Sequence, residues 1–466
     1  MKIEFFGAAR TVTGSKHLVT TASGFRILLD CGLFQNKGSD NDTLNRHLGF
    51  DASSIDCMVL SHAHMDHAGL IPYLVKQGFK GPVYATPATF DLCGIMLTDS
   101  AYIQENDVTY LNKKRVRKDF TPLRPLYTVK DVKSCLKQFI TVPYRERRDL
   151  GSGASFMFTD SGHILGSAGI HLVIQEEGKE RSVFFTGDIG RSNDEILKAP
   201  DVFQQADFII SESTYGDRLH EKKTDARQRL LEVVMNTCVE KKGKVIIPAF
   251  SLGRTQEIVF VLDQMHGKGL LPPINVYVDS PLSYNATEIM RKHPDCFNDR
   301  IREHMKKDPD PFGFNKLFYI RDVNESKALN ESREPCIIIS ASGMLEAGRI
   351  KHHLKNNISD ARNTILIVGY CPPGTLGGDL LAHKPVVRIF GKEYQVNAGV
   401  VEINSYSAHA DYIEMIDYLS CQDKKKVKKI FLVHGDYEVQ QRYRERLMSA
   451  GFSGIEIPSR SSSWEV

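Results

Sequence analysis

Three imidazoles and one carboxylate fall within six residues, His62, His64, Asp66 and His67, inside the stretch SHAHMDHAG at 61–69. Each imidazole offers a nitrogen lone pair and the aspartate an anionic oxygen. That mixed set suits a borderline cation such as Zn²⁺, whereas Mg²⁺ and Ca²⁺ favour oxygen ligands. The plain alternative is a polar loop that happens to be rich in histidine. Against it, donors of the same kind recur downstream in comparable positions. His163 lies in the glycine-bracketed SGHILGSAG, Asp188 follows the apolar run of SVFFTGDIG, and His434 closes IFLVHGD.

The elements around these residues would place them at strand ends. Ile55, Cys57, Met58, Val59 and Leu60 read as a buried strand running into the histidines, and Ala68, Leu70, Ile71 and Leu74 as the apolar side of a helix beginning near Asp66. Short strands are expected at 3–6, 17–19 and 25–29, the last reaching Asp30, with another at 82–85 and a helix over 88–111. Strands at 156–158 and 170–174 flank the loop of His163, and FIISES carries Glu212 at the end of a further strand. From there the pattern changes. A helix over 225–240, the strand KVIIPAF, a helix in TQEIVFVLDQM and strands at 275–279, 335–341 and 364–370 alternate as a compact parallel α/β domain would. Then VVEINSYSAHAD returns a strand and His409, followed by a helix with Ile413, Ile416 and Leu419 on its apolar side, and the buried strand before His434.

Three loops of the α/β segment fall at strand ends, the usual ligand rim of such sheets. They are FSLGRTQE with Arg254, SASGMLEAGR with Ser340, Ser342, Gly343 and Arg349, and GYCPPGTLGG. Exposed backbone N–H groups and arginine suit an anion there, yet glycine-rich turns serve structure equally well. No GxxxxGK[ST] occurs, so nucleotide hydrolysis has no support. The tract KKRVRK at 113–118 and the cluster Arg145, Arg147 and Arg148 could touch a phosphate backbone or simply be solvated surface.

The HxHxDH signature with His163 and Asp188 resembles the metallo-β-lactamase superfamily. Glu212, His409 in SAHAD and His434 resemble the additional motifs of its β-CASP branch, whose members process nucleic acids. The resemblance spans 1–450. It implies an αββα sandwich with an inserted parallel α/β domain, divided as 1–210, 211–390 and 391–466. It implies two Zn²⁺ ions, one held by His62, His64 and His163, the other by Asp66, His67 and His434, with Asp188 between them. Asp30 would lie beneath and orient those ligands, its plain alternative being a turn or cap residue. Asp66 would also orient the nucleophile, and His409, held by Glu212, would protonate the leaving group. The implied activity is hydrolysis of phosphodiester bonds in single-stranded RNA, endonucleolytic with exonucleolytic action admitted, and Arg254, Ser342, Gly343 and Arg349 would track phosphates. His434 supports RNA, since DNA-directed relatives tend to carry an aliphatic residue there. Alternatives are a single-strand nuclease that also acts on DNA, a metallo-hydrolase of small thioesters or lactones, and a non-catalytic RNA-binding subunit.

Composition sets wider bounds. A length of 466 residues allows two or three domains, and 41% hydrophobic with 25% charged residues fits a globular chain. A net charge of +3 is too small to identify a polyanion partner. Nine cysteines, scattered singly without CxxC spacing, argue for reduced thiols rather than a disulfide scaffold or a thiolate zinc site. No secretory leader is evident, and no run approaches the roughly 20 apolar residues that span a bilayer. The expectation is a cytoplasmic protein without membrane contact and without a further nucleic-acid-binding module at either end, a homodimer being admitted.

Overall fold

The computed structural model describes residues 1–35, 41–114, 122–176, 178–220, 223–369, 371–403 and 407–466, with backbone only for 223–225. Residues 115–118 of the basic tract and Tyr370 of the third glycine-rich loop lie outside the described residues.

The chain forms two compact units, Met1–Leu219 with His409–Val466, and His220–Ala408. The first contains two seven-stranded sheets. One runs, in spatial order, Ser462–Glu465, Lys2–Gly7, Lys16–Thr20, Arg26–Leu29, Cys57–Val59, Val83–Ala85 and Phe139–Thr141. The other runs Ile455–Glu456, Lys429–Leu432, Phe208–Ser211, Lys179–Phe185, Ala168–Glu176, Ala154–Asp160 and Arg147–Gly151.

Side chains alternate across each strand, and the alternation builds the layers. Phe185, Ile210 and Phe431 point between the sheets, where they meet Phe5, Val19, Ile27, Leu29 and Val59 of the first sheet in one core. Their neighbours Phe184, Ile209, Ile430 and Leu432 face the other way, onto Met415 and Leu419 of the helix Tyr412–Leu419 and Tyr443 and Leu447 of the helix Tyr437–Ser449. Phe184 stacks on Phe203 at 3.7 Å between ring centroids. Burial on both faces is why these strands read as continuous apolar runs. Helices also cover the outer face of the first sheet, where Phe90 of the long helix Pro87–Lys114 meets Phe139 at 5.6 Å. The architecture is an αββα sandwich.

The second unit is the inserted α/β domain. Its six-stranded sheet runs Leu317–Tyr319, Asn275–Asp279, Cys336–Ser340, Lys244–Pro248, Thr364–Ile367 and Gly399–Glu402, every neighbouring pair parallel. The units part at 219/220 and 408/409 rather than at 210/211 and 390/391. At the far end the reason is Gly399–Glu402, which reads from sequence as a return to the first domain but hydrogen-bonds to Thr364–Ile367.

Two helices depart from their sequence reading. The single helix expected after Asp66 is two short ones, Met65–Ala68 and Ile71–Lys76, because Gly69 ends the first and Pro72, lacking an N–H, fits only the first turn of the second. The helix over 225–240 begins at Lys223 and passes after Val234 into a wider helical turn, Met235–Glu240.

Candidate metal centre

Parallel strands of the sandwich end at the donor residues. Arg26–Leu29 and Cys57–Val59 run parallel and are followed by Asp30 and by the His62–His64 turn. In the other sheet Lys179–Phe185, Phe208–Ser211 and Lys429–Leu432 are parallel and lead to Asp188, Glu212 and His434. Two glycines let these turns approach closely. A Cβ on Gly32 would lie 1.6 Å from the backbone oxygen of Asp66, and Gly187, at φ +54, would carry one 2.8 Å from Ser61 Cβ.

His62 Nε2 and His163 Nε2 lie 3.1 and 3.2 Å from His64 Nδ1, so three ring nitrogens converge on one point. Asp188 Oδ2 completes the group at 3.5 Å from His62 Nε2 and 3.4 Å from His163 Nε2. The other oxygen of the same carboxylate, Oδ1, lies 3.3 Å from His67 Nε2. His67, Asp66 and His434 form the second group, with His434 Nε2 3.4 Å from Asp66 Oδ2. Within each group the donor atoms lie within 4.8 Å of one another. Asp188 thus offers one oxygen to each group.

These atoms fit a cation on chemical grounds. Burial pushes the His62 imidazole well below its ordinary pKa and His64 down to about 4, which keeps both neutral with lone pairs available. Two of the buried atoms, His67 Nε2 and Asp188 Oδ1, have no hydrogen-bond partner among the described residues, an arrangement that is costly unless a cation takes both. Burial opposes a charge on His67, but Asp188 and Asp30 outweigh it and raise its pKa well above the ordinary value. The position between these carboxylates therefore draws positive charge.

Hydrogen bonds behind the donors set which nitrogen each presents. Asp30, fully buried, accepts from the Ser61 backbone N–H at 2.8 Å, the Ser61 hydroxyl at 2.8 Å and His67 Nδ1 at 2.6 Å. A carboxylate only accepts, so Nδ1 of His67 carries a proton, and Nε2, facing the equally accept-only Asp188 Oδ1, is the nitrogen that would give its lone pair to a cation between them. The Ser61 hydroxyl spends its proton on Asp30 and lies 3.0 Å from His62 Nδ1, which must then donate, leaving His62 Nε2 for the group. Behind Asp30, Ser15 Oγ lies 3.4 Å from its Oδ2 and 3.4 Å from His17 Nε2.

His409 stands beside the centre, its ring 4.4 Å from that of His163 and its side chain 20% exposed. Its backbone is fixed by a bridge to Gly190 and by the Ala410 N–H on Ile189 O. His409 Nδ1 lies 3.2 Å from Glu212 Oε2, and Glu212 Oε1 accepts from the Ile189 N–H at 2.5 Å. Burial lowers the His409 pKa, but the Glu212 carboxylate more than offsets that and raises it to about 9.

The structure thus brings His62, His64, Asp66, His67, His163, Asp188, Glu212, His409, His434 and Asp30 together within the first unit. Arg254, Ser342, Gly343 and Arg349 belong to the other unit. There Arg349 is bound to Asp279 at 2.6 Å and to the Arg321 carbonyl at 2.8 Å, and Arg254 pairs with Glu257 at 2.5 Å. Ser342 Oγ bonds Ala347 O at 3.3 Å, and Gly343 lies against the Phe250 ring. Sequence reasoning passed over Ser61, Ser15, His17 and Thr214. The signal for Ser61 was its place inside the histidine stretch; for Thr214, whose Oγ1 lies 2.9 Å from His434 Nδ1, it was the even spacing from Glu212 at a strand end.

Comparison with known proteins agrees with this arrangement. The metallo-beta-lactamase superfamily domain matches residues 18–215, the Beta-Casp domain 255–380, and the Zn-dependent metallo-hydrolase RNA specificity domain 393–458. The chain is 36% identical over 438 residues to Ribonuclease TTHA0252 of Thermus thermophilus, covering 94% of each. It is 32% identical over 450 residues to the Transcription termination factor FttA of Methanosarcina mazei, covering 94% of this chain and 67% of that one. It is 30% identical over 450 residues to the Cleavage and polyadenylation specificity factor 73 of Drosophila melanogaster, covering 95% of this chain and 61% of that one.

Proposed function

Because the chain belongs to the β-Casp branch of the metallo-β-lactamase superfamily, we propose that it is a two-zinc ribonuclease that hydrolyses phosphodiester bonds of single-stranded RNA. The observation that carries the reading is Asp188, whose two oxygens serve two separate donor groups beside a charged His409. His62, His64 and His163 would hold one ion, Asp66, His67 and His434 the other. When bound, the ions make hydroxide available from water near neutral pH and offset charge on the phosphoryl oxygens.

The protein's own groups supply the rest. Burial works to raise the Asp66 pKa, but the imidazoles of His434 and His67 hold it well below the carboxylate range, so it is ionised and placed to accept a hydrogen bond from the attacking water. His409 gives its proton to the ribose oxygen that leaves as the phosphorus–oxygen bond breaks, and Glu212 keeps the ring charged and oriented until then. RNA as substrate rests on the relatives named above and on the match of 393–458, a segment that contains His409 and His434. Arg254, Ser342, Gly343 and Arg349 serve this reading as a scaffold for phosphate contacts rather than as free cations, since both arginines are engaged. Eight buried cysteines and one exposed, none in a disulfide, favour work in the reducing cytoplasm, as a monomer or a homodimer.

The test offers the purified chain matched single-stranded RNA and DNA, duplex DNA and a simple thioester. Cleavage of single-stranded RNA alone is expected. DNA cut within about threefold of RNA, about 0.65 kcal/mol, removes the RNA assignment in favour of a general single-strand nuclease. Hydrolysis of the thioester alone moves the chain to small-molecule chemistry.

A further inference from the structure

We propose that Thr214 is a positioning residue that fixes the ring tautomer of His434 and thereby sets the affinity of the second metal position; the inference rests on the reading of His434 as a ligand there.

The argument is a count of protons around one hydroxyl. Thr214 Oγ1 lies 3.1 Å from the carbonyl oxygen of His434 and 2.9 Å from Nδ1 of the same residue. A carbonyl oxygen only accepts, so the single hydroxyl proton goes to it. The hydroxyl can then meet the ring only as an acceptor, and Nδ1 must carry the proton. A neutral imidazole has one N–H, so with Nδ1 protonated the lone pair is left on Nε2, 3.4 Å from Asp66 Oδ2. That oxygen also only accepts and draws the proton to Nε2 in the metal-free chain, whereas a cation shared by Nε2 and Oδ2 leaves it on Nδ1 against Thr214. The other near neighbour of Nδ1, Asp188 Oδ1, lies 3.6 Å away and also accepts only, which favours the same tautomer. Thr214 therefore does for His434 what Ser61 does for His62 and Asp30 for His67.

The surrounding chain makes the arrangement a rigid one. His434 sits in a left-handed turn at φ 54, with its N–H on Ala8 O at 2.7 Å. Ser213, one residue before Thr214, hydrogen-bonds through its hydroxyl to Val433 O at 2.6 Å, and its N–H reaches His434 O at 3.4 Å. The segment 212–214 thus reaches both late histidines, Glu212 taking His409 and Thr214 taking His434, each through Nδ1.

Thr214→Val keeps the branched shape and removes the hydroxyl, whereas Thr214→Ser keeps the hydroxyl and removes the methyl. Zinc affinity of the full chain is measured by competition with a chromophoric chelator, and the unfolding midpoint of metal-stripped protein serves as a fold control. The expectation is two zinc ions in the wild-type chain, with the weaker of the two lost about 10–100-fold more readily in Thr214→Val, the usual effect of removing a hydrogen-bond partner behind a ligand. Thr214→Ser should bind both like wild type. Both affinities within about twofold of wild type in Thr214→Val overturn the proposal, as does an equal loss in the valine and serine variants, which would assign the effect to methyl packing. If the valine variant does not fold, Thr214→Ala replaces it and is read against serine in the same way. A wild-type chain that binds fewer than two zinc ions instead removes the reading of His434 as a ligand, and this inference with it.

Discussion

At the scale of single residues, the centre is governed by where protons are allowed to sit. Buried oxygens that can only accept, or whose one proton is already committed, fix His62 and His67 with Nε2 toward the donor groups. Changing Asp30 to Ala strips that partner from His67 and Ser61 together. Zinc affinity should fall by about 10–100-fold, read by chelator competition, and unchanged affinity would reduce Asp30 to a turn residue. His409 is a different case, because it belongs to neither metal group and its role is to carry a proton. His409→Ala should keep two zinc ions while cleavage falls about 10²–10⁴-fold, the range of a positioned acid; loss of a metal in that variant would make His409 a ligand. The pH dependence follows in sign. The active form of an acid is the protonated one, so the rate must fall as pH rises through the His409 pKa. Burial lowers that pKa, and Glu212 outweighs it and raises it to about 9 in the metal-free chain. Bound cations push the value down in wild type and variant alike. Glu212→Gln removes the attraction and leaves the burial, so the alkaline limb of the pH–rate profile should move to lower pH by more than about one unit. A limb that stays in place assigns the proton to another group.

At the scale of elements, the site depends on how closely strand ends approach one another. Gly32 and Gly94 make a controlled pair. A Cβ at Gly32 would strike the Asp66 backbone, which cannot yield without moving the turn that carries Asp66 and His67. Gly94, within the helix Pro87–Lys114, would meet nothing within 4 Å. Gly32→Ala should therefore lower both thermal stability and zinc content, whereas Gly94→Ala should be neutral or stabilising by up to about 1 kcal/mol through helix propensity. Equal effects in the two would mean that the approach of the turns does not matter. The same contrast explains what was legible in the sequence. Three ligands in one short stretch, and single donors closing apolar runs, are visible because strand, turn and donor are contiguous. The partners of those ligands are not. Ser61 and Thr214 are ordinary residues whose roles come from register between segments far apart in the chain, 220 positions in the case of Thr214 and His434. The partner of Arg349 was hidden for the same reason, since its charge suggests a phosphate while Asp279, 70 positions away, is already bound to it. The strand Gly399–Glu402, half-buried, reads alike in either sheet, and only its pairing with Thr364–Ile367 shows which one it joins.

At the scale of the whole molecule, every donor discussed above lies in one of two units, though the chain must leave that unit and return to supply His409 and His434. The second unit has its own parallel sheet and its own core around Ile246, Ile365, Ile367, Leu354 and Leu380. A ligand stabilises only the cooperative unit that binds it, by about 2.7 kcal/mol per site at a free concentration 100 times the Kd. For a unit of this size that corresponds to a rise of roughly 5 °C in its midpoint for each such site. Scanning calorimetry of the zinc-loaded and chelated chain should then show two transitions, of which one moves by at least that much and the other stays. A single transition that moves as a whole would mean that the two units unfold together and that the insertion shares the metal's stabilisation. The opposite failure is also informative. Among the described residues, the second unit holds one group of its own that could take a metal ion, Asp263, His304 and Asp308, with His304 Nε2 2.8 Å from Asp263 Oδ2. Burial and the neighbouring Asp308 raise the Asp263 pKa to about 6 against the pull of His304. If zinc shifts both transitions separately, that group is the site responsible, and His304→Ala should return the second transition to its chelated position while leaving the first one zinc-dependent.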